Sequence, residues 1–583
     1  MKIFSNKKLE EKKFLIKYFF ISLSLYNFTP KYLTASEMKV IKTYIAVFVM
    51  VLALFPSIIF AQKESENFKL KYAEAWMSFN NENFRGALKI YRELYKINPE
   101  HAMLNYRMGQ CYFELKMPDS ALIHLQTAIK VDTAIKNEAY LLLGESYQYK
   151  GEVDIALDCY YKYKSKLSPK QAEQSYANVV IQQCLTAKDL ISKPVDVKIL
   201  DLDTNINSIY VDAAPSLTAD GKTLIYTSRR LQNVGGRYDF DSECYYDDIY
   251  ISTWDDKKHN WAHSVNIGTP INTNYHDANM SISPDGNTIF IYKNIPNITG
   301  SGDIYFSTKS PTGEWSEPKP ILNKEINTTY FESSACITSD GNTMFFVSER
   351  EKGGYGHGDI YMTKREGNSW GTPVNLGPTI NSPYDEIGVY IHPDGKTLFF
   401  SSNGHKTMGG YDIFMSYFDN GKWAEPINLG YPINTTHDEI HFVLSTDKKT
   451  AYISSNRDGG YGEFDIYSID MSNYFKTQEN IPTNVSQAIT GSTLSIMKGK
   501  VSDADNSSPI KATLTFKDVM SNETYVTESN ENGEYFITLP SDKRYEVSTK
   551  ANGYKPFTLK FKIPKNTELE TPTLTKHFLL NKE

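Results

Sequence analysis

The chain has 583 residues, 13% of them aromatic with 41 tyrosines, and a net charge of −7. That length is enough for about three or four domains. Nine lysines and three acids in residues 1–61 leave a net −13 on the remainder, and an acidic, tyrosine-rich body excludes nucleic acid as the expected partner. The five cysteines, Cys111, Cys159, Cys184, Cys244 and Cys336, show no CxxC and no metal-type spacing. They supply neither a disulfide framework nor a zinc site and read as buried thiols.

Residues 1–37 are lysine-rich with a broken apolar run. From Met38 the pattern sharpens: Lys39 and Lys42, an apolar run Tyr44–Ile59, then Ala61 before Gln62. This predicts a signal peptide over 38–61, cleaved after Ala61, with 1–37 a mis-assigned extension. The competing reading is an uncleaved anchor, although the run is short for a span. No cysteine directly follows the run, so lipid anchoring is not expected. Export to the periplasm or the outer-membrane surface is expected.

Residues 62–192 switch to helical period. Ala87, Ala121 and Ala156 recur at steps of 34 and 35, and twelve residues before each lies a small residue, Ala75, Gly109 or Gly144. Four residues after each comes Tyr91, Leu125 or Tyr160, and Pro99 closes the first unit. Small residues at these places let two helices of a hairpin touch closely. Residue type by residue type this resembles the tetratricopeptide repeat. The resemblance implies three units and a capping helix over Lys170–Leu190. It also implies a concave groove for a peptide or partner segment. The competing reading is a plain helical spacer.

Residues 193–471 carry five copies of one pattern. Asp-Ile-aromatic stands at Asp248, Asp303, Asp359, Asp412 and Asp465, at steps of 55, 56, 53 and 53. Ile-Asn followed by Ser or Thr keeps the same beat, at Asn207, Asn272, Asn327, Asn381 and Asn434. The third phrase is a turn at Asp220-Gly221, Asp285-Gly286, Asp340-Gly341 and Asp394-Gly395, worn down to Asp447-Lys448. Short β runs at this period predict a β-propeller of four-stranded blades. In one copy the strands are Ile387–Ile391, Thr397–Ser402, Asp412–Ser416 and a stretch from Trp423 to Leu429. Fourth-strand patterns precede the copies at Leu200–Leu202, Ile267, Leu322, Leu376 and Leu429, yet none follows Tyr467. Val197–Leu202 is therefore expected to complete the last blade, closing five blades first to last and removing open edges. A sixth, diverged blade is the alternative count.

A polar linker spans 472–496. Residues 497–583 are all-β again, with Lys498–Asp503, Ala512–Phe516, Asn532–Phe536 and Tyr545–Ser548 as strand and turn segments. They resemble the carboxypeptidase regulatory-like domain, a transthyretin-type sandwich that is a non-catalytic appendage. The fold class is thus multidomain: an all-α tetratricopeptide solenoid, a five-bladed propeller and a small β-sandwich.

No Gly-x-Ser-x-Gly nucleophile elbow is present, and no enzyme activity or cofactor is expected. His437 and His441 read H-D-E-I-H, but on a strand they do not share a helical face as a zinc motif requires. Asp239, Asp241, Glu243, Asp247 and Asp248 form an acidic insertion without the central glycine of a calcium loop. The candidate binding residues are Asp212, Asp277, Glu332, Glu386 and Glu439, one per copy at the start of the first strand. In a propeller that strand lines the channel, and five acids at one level would focus negative potential on a cationic group. Asp385 and Asp438 would deepen it. The competing reading is that each acid caps a turn or pairs with a neighbouring blade.

The order of signal peptide, tetratricopeptide stack, propeller with TolB-type (WD40-like, PD40) phrases and sandwich resembles a family of Bacteroidota envelope proteins. Some members serve type IX secretion or gliding, and an OmpA-like domain usually follows; here the chain ends at Glu583. The resemblance implies a non-enzymatic envelope scaffold that binds proteins or peptide segments through the groove and the propeller faces. The alternative is a glycan- or peptidoglycan-binding module.

Overall fold

The computed structural model describes residues 66–239, 244–295, 302–367, 369–477, 493–565 and 573–583. The expected signal peptide and extension, most of the linker and residues 240–243 of the acidic insertion lie outside the described residues. The chain divides into two units, Met1–Pro99 and Glu100–Glu583.

In the first unit a helix over 66–80 and the helix Phe84–Ile97 carry Ala75 and Ala87, both fully buried. Tyr72 tilts against Tyr91 at 5.6 Å between ring centroids. Asn83 caps the second helix by accepting the Gly86 N–H at 2.7 Å, which satisfies one of the amides left unpaired at a helix start.

The second unit begins with two helix pairs, Ala102–Glu114 with Pro118–Val131 and Glu138–Tyr149 with Val153–Ser165. The small residues have a direct physical reason. A Cβ on Gly109 would stand 2.6 Å from Leu125, and one on Gly144 would stand 2.5 Å from Tyr160. Cys111, Cys159 and Cys184 are buried among the helices. The capping helix is broken in two, Pro169–Glu173 and Ala177–Ile191. The break is held by Asn178, whose amide donates to the carbonyls of Ala172 and Glu173 and so ends the first piece.

A large β-rich region follows; its described residues form five sheets of four or five strands, a two-stranded ribbon and a sandwich. The first strands of the five sheets are Asp212–Leu217, His276–Ile282, Glu332–Ile337, Glu386–Ile391 and Glu439–Leu444. The second strands, such as Thr397–Ser402, are buried almost throughout because both faces are covered. The Asp-Gly turns join these two strands, with Gly221, Gly286, Gly341 and Gly395 at φ near 70°, a conformation natural to glycine. Lys448 takes the fifth place at φ 61°, and its amine lies 3.3 Å from Asp394 of the neighbouring turn.

The outer strand is not continuous as the sequence pattern suggests. In the fourth sheet Lys422–Trp423 and Ile427–Asn428 are separate pieces pairing successive parts of Asp412–Asp419. Leu322 also departs from its expected place and is 89% exposed, whereas Leu429 is fully buried. Ile321 turns inward in its stead.

The fifth sheet takes its outer strand from far upstream: Lys198–Asp201 pairs antiparallel with Asp470 to Tyr467. Each first strand also contacts the first strands of neighbouring sheets, and the series includes Asp212–Leu217 against Glu439–Leu444. The five acids thus start their strands at one end, and the Asp-Gly turns lie at the other.

Each end carries another part of the unit. At the turn end sits the sandwich, with a sheet around Leu494–Asp503 and one around Thr513–Asp518. Its Thr538 hydroxyl donates to the Pro393 carbonyl at 2.7 Å, and Glu523 pairs with Lys396 at 2.9 Å. At the acid end, Met408 of the loop before Asp412 is fully buried in the core of Ala156, Tyr160, Ile181 and Cys184 in the helical region. Gln148 donates to the Met408 carbonyl at 3.2 Å and itself accepts from the Tyr160 hydroxyl at 2.6 Å.

Candidate functional site: a tyrosine and carboxylate rim

Each first strand is entered through the same loop: Asn207 to Tyr210, Asn272 to Tyr275, Asn327 to Tyr330, Asn381 to Tyr384 and Asn434 to His437. The asparagine side chain is a bidentate splint. Asn381 accepts the Ile360 N–H at 2.8 Å and donates to the Ile360 carbonyl at 3.0 Å, in the preceding sheet. Asn272, Asn327 and Asn434 repeat this on Ile249, Ile304 and Ile413. Each sheet therefore fixes the entry loop of the next.

The five candidate carboxylates are all fully buried. Each takes hydrogen bonds from the Ser or Thr four residues upstream: Ser208 to Asp212, Thr273 to Asp277, Thr328 to Glu332, Ser382 to Glu386 and Thr435 to Glu439. The far side is met from the second strand or just after it. Arg230 pairs with Asp212 at 2.8 Å, Lys293 with Asp277, and Arg457 with Glu439 at 3.1 Å. Ser348 donates to Glu332 and Ser402 to Glu386. This corrects the expectation of a ring open to a cation: the side chains point into their own sheets and brace the entry loops. Among the described residues no Arg or Lys pairs with Glu386; His405 is 3.9 Å away, and burial pushes the Glu386 carboxyl up to about 7.

Of the Asp-Ile-aromatic aspartates, Asp248, Asp359, Asp412 and Asp465 are buried braces too, and Asp303 is half-buried. Asp359 accepts the N–H groups of Tyr355 and Gly356, and Asp412 accepts that of Met408. Asp412 thereby shapes the loop that enters the helical core. Of the acidic insertion, Asp247 is paired with Arg229 and His276, both at 2.7 Å.

Other acidic and aromatic side chains at this end are less buried than the five acids. Asp385 and Asp438 are half-buried; they accept the N–H groups of Gly358 and Tyr411, both at 3.0 Å. Glu349 is exposed, and partial loss of solvation of its carboxyl together with the charge of Asp385 raises its pKa. Outside them stand the entry-loop aromatics. Tyr330 is 39% exposed and Tyr384 is 40% exposed. In the fifth place His437 is buried, its ring 4.2 Å from that of Tyr149 in the helical region. The slot recurs two residues before each acid, but spacing alone does not say which of its rings are exposed. His441 sits apart from His437, against the Gly388 backbone. Among the described residues no group of three or more His, Cys, Asp or Glu is placed to hold a metal ion.

Comparison with known proteins identifies two parts of the chain. A tetratricopeptide repeat model matches residues 78–145, and a carboxypeptidase regulatory-like domain model matches residues 496–575. The BBSome complex member BBS4 of Bos taurus is 29% identical over 89 residues, which is 15% of this chain and 17% of that protein. This chain therefore spans about a sixth of that relative's length. The type III secretion translocator chaperone SycD of Yersinia enterocolitica aligns over 21% of this chain and 88% of its own, with 16% identity and a TM-score of 0.20. The α-L-arabinofuranosidase PaAbf62A of Podospora anserina aligns over 46% and 93%, with 14% identity and a TM-score of 0.30. Structural likeness at that level carries no argument about activity.

Proposed function

We propose that this protein is a non-enzymatic scaffold that binds protein partners through its helical repeats and the adjoining rim. The observation that carries the reading is the burial of Met408 in the helical core. It joins the helices of residues 153–191 to the rim, so a partner meets these two surfaces in a defined relation. Tetratricopeptide stacks are protein-interaction modules, and the regulatory-like sandwich adds a further face.

In the same reading the five sheets are the blades of a closed, TolB-like propeller. The pairing of Lys198–Asp201 with the fifth sheet supports this, as does the return of the first-strand contacts to the first sheet. Closure abolishes exposed strand edges and gives a platform that neither aggregates nor frays. The setting we infer is the bacterial envelope, in the periplasm or at the outer membrane of a Bacteroidota cell, with the type IX secretion or gliding machinery as the candidate assembly. Crosslinked capture on the intact chain from envelope fractions tests this. Reproducible recovery of defined protein partners is expected; recovery of glycan with no protein would overturn it. The exposed Tyr330 and Tyr384 rings favour one second reading, glycan binding, since such rings stack on sugars as readily as on side chains.

A further inference from the structure

The five entry-loop slots are equivalent by position but not by what covers them. The described parts of the first-sheet insertion, residues 229–239 and 244–247, reach two of them. Tyr245 meets Tyr210 edge-to-face at 6.0 Å between centroids. Arg237, itself exposed, places its guanidinium 5.4 Å from the centre of the Tyr275 ring. The insertion backbone presses close enough that a Cβ on Gly235 would stand 2.4 Å from Asn274. The fifth slot, His437, is covered by Tyr149. The chain thus covers three of its own slots, twice with a tyrosine and once with an arginine. Among the described residues no ring or guanidinium stands on the third and fourth slots in this way, and Tyr330 and Tyr384 are 39% and 40% exposed.

The open sector has the features the covered ones use. Tyr355 is 51% exposed in the loop whose His357 N–H donates to the Tyr384 carbonyl at 3.0 Å. Glu349, whose N–H donates to the carbonyl of Phe331 beside Tyr330 at 3.0 Å, and Asp385, next to Tyr384, put negative charge beside the two slots, which favours a positive charge there. Tyr384 also lines a groove of about 570 Å³, shared with Gln182 and Gln183 of the helix Ala177–Ile191 and with Asn403. Tyr176 at the foot of that helix is 53% exposed.

We propose that the Tyr330 and Tyr384 slots take a segment of a partner protein that presents an arginine or lysine beside an aromatic residue. The guanidinium or ammonium would stand on a tyrosine face, as Arg237 does on Tyr275, with Glu349 and Asp385 behind it. Its aromatic neighbour would pack edge-on, as Tyr245 does on Tyr210. This rests on the scaffold reading and gives it a surface and a chemistry.

The test uses the intact chain and a short Gly/Ser peptide carrying one Arg-Tyr pair, against the same peptide with Glu-Tyr. Saturable binding of the Arg-Tyr peptide is expected. The double substitution Tyr330→Ala with Tyr384→Ala should weaken it about tenfold, while Tyr275→Ala, at a slot already covered, should leave it within about twofold. Thermal melts of the variants establish that they fold. No saturation, equal binding of the Glu-Tyr peptide, or unchanged binding by the double variant would overturn the proposal. So would binding of an uncharged chitin oligosaccharide in place of the peptide with the same tyrosine dependence. Envelope partners captured equally by the wild type and the double variant would remove the slot assignment and leave the scaffold standing. No captured partner for the wild type would remove the scaffold itself.

Discussion

The side chain of Asn207 holds both backbone groups of Ile466, 259 residues away in sequence: the Ile466 N–H donates to Oδ1 at 2.9 Å, and Nδ2 donates to the Ile466 carbonyl at 2.9 Å. It is the same splint that Asn272, Asn327, Asn381 and Asn434 make between consecutive sheets. Here it joins the entry loop of the first sheet to the third strand of the fifth. Beside it the Leu202 N–H donates to the same Ile466 carbonyl at 3.1 Å.

Removing that splint should open one seam. Asn207→Ala strands the buried Ile466 N–H and leaves the Ile466 carbonyl with the Leu202 N–H alone, at a cost of about 1–3 kcal/mol. Hydrogen exchange at Leu202 and along Lys198–Asp201 should accelerate in Asn207→Ala. In Asn381→Ala, which breaks an equivalent splint elsewhere, it should stay slow. Equal protection of the 198–202 amides in both variants would count against the seam.

The helical repeats should be sensitive to one methyl group. Gly144→Ala places a Cβ 2.5 Å from the Tyr160 ring, and Tyr160 is fully buried with its hydroxyl bonded to Gln148. Overpacking of this kind costs about 1–3 kcal/mol. Gly395→Ala, with nothing within 4 Å but φ at 69°, should cost about 1 kcal/mol through backbone strain alone. Urea denaturation of the two variants compares them; a larger loss for Gly395→Ala would contradict the close helix contact.

Met408 should be the pin between helices and rim. Met408→Ala empties a fully buried site and should cost about 2–5 kcal/mol, and Met408→Glu should release the helices. The expected readout is new proteolytic cleavage between Ile191 and Lys198, with the melting of the sheets little changed. An unaltered digest of Met408→Glu would show that the junction is held by something else.

Glu386 should make stability depend on pH. Its carboxyl is raised from 4.5 to about 7 by burial, so the folded state holds the proton more tightly than the unfolded chain. The contribution is complete below about pH 4.5 and is lost as pH rises through about 7, on the order of 1–3 kcal/mol. Glu386→Gln keeps one acceptor, for the Ser382 N–H, and its amide can donate to the Ser402 hydroxyl, without the charge. Its melting temperature should fall less than that of the wild type between pH 5 and 8. Parallel profiles would argue that Glu386 is ionised throughout.

Much of this architecture could be read from the chain itself, because repetition exposes it. Three phrases in phase mark five equivalent sheets, the Asp-Gly pairs mark the turns, and the alanine and glycine steps mark the helix contacts that leave no room for a side chain. The alternation along Glu386–Ile391 places the acid at a strand start. What it cannot say is which way that acid faces, because a carboxylate that binds a ligand and one that braces a loop have the same spacing. The coordinates decide this through partners brought in from other strands, such as Ser402, Arg457 and Lys293. Leu322 misled for a related reason: a shift of one residue, with Ile321 turning inward, carries a side chain from core to solvent. Met408 and the covering of Tyr275 by Arg237 leave no periodic trace, since each is a single contact between distant segments. Local pattern therefore specified the elements and their order, and only three-dimensional packing determined which repeated positions are sealed and which two remain open.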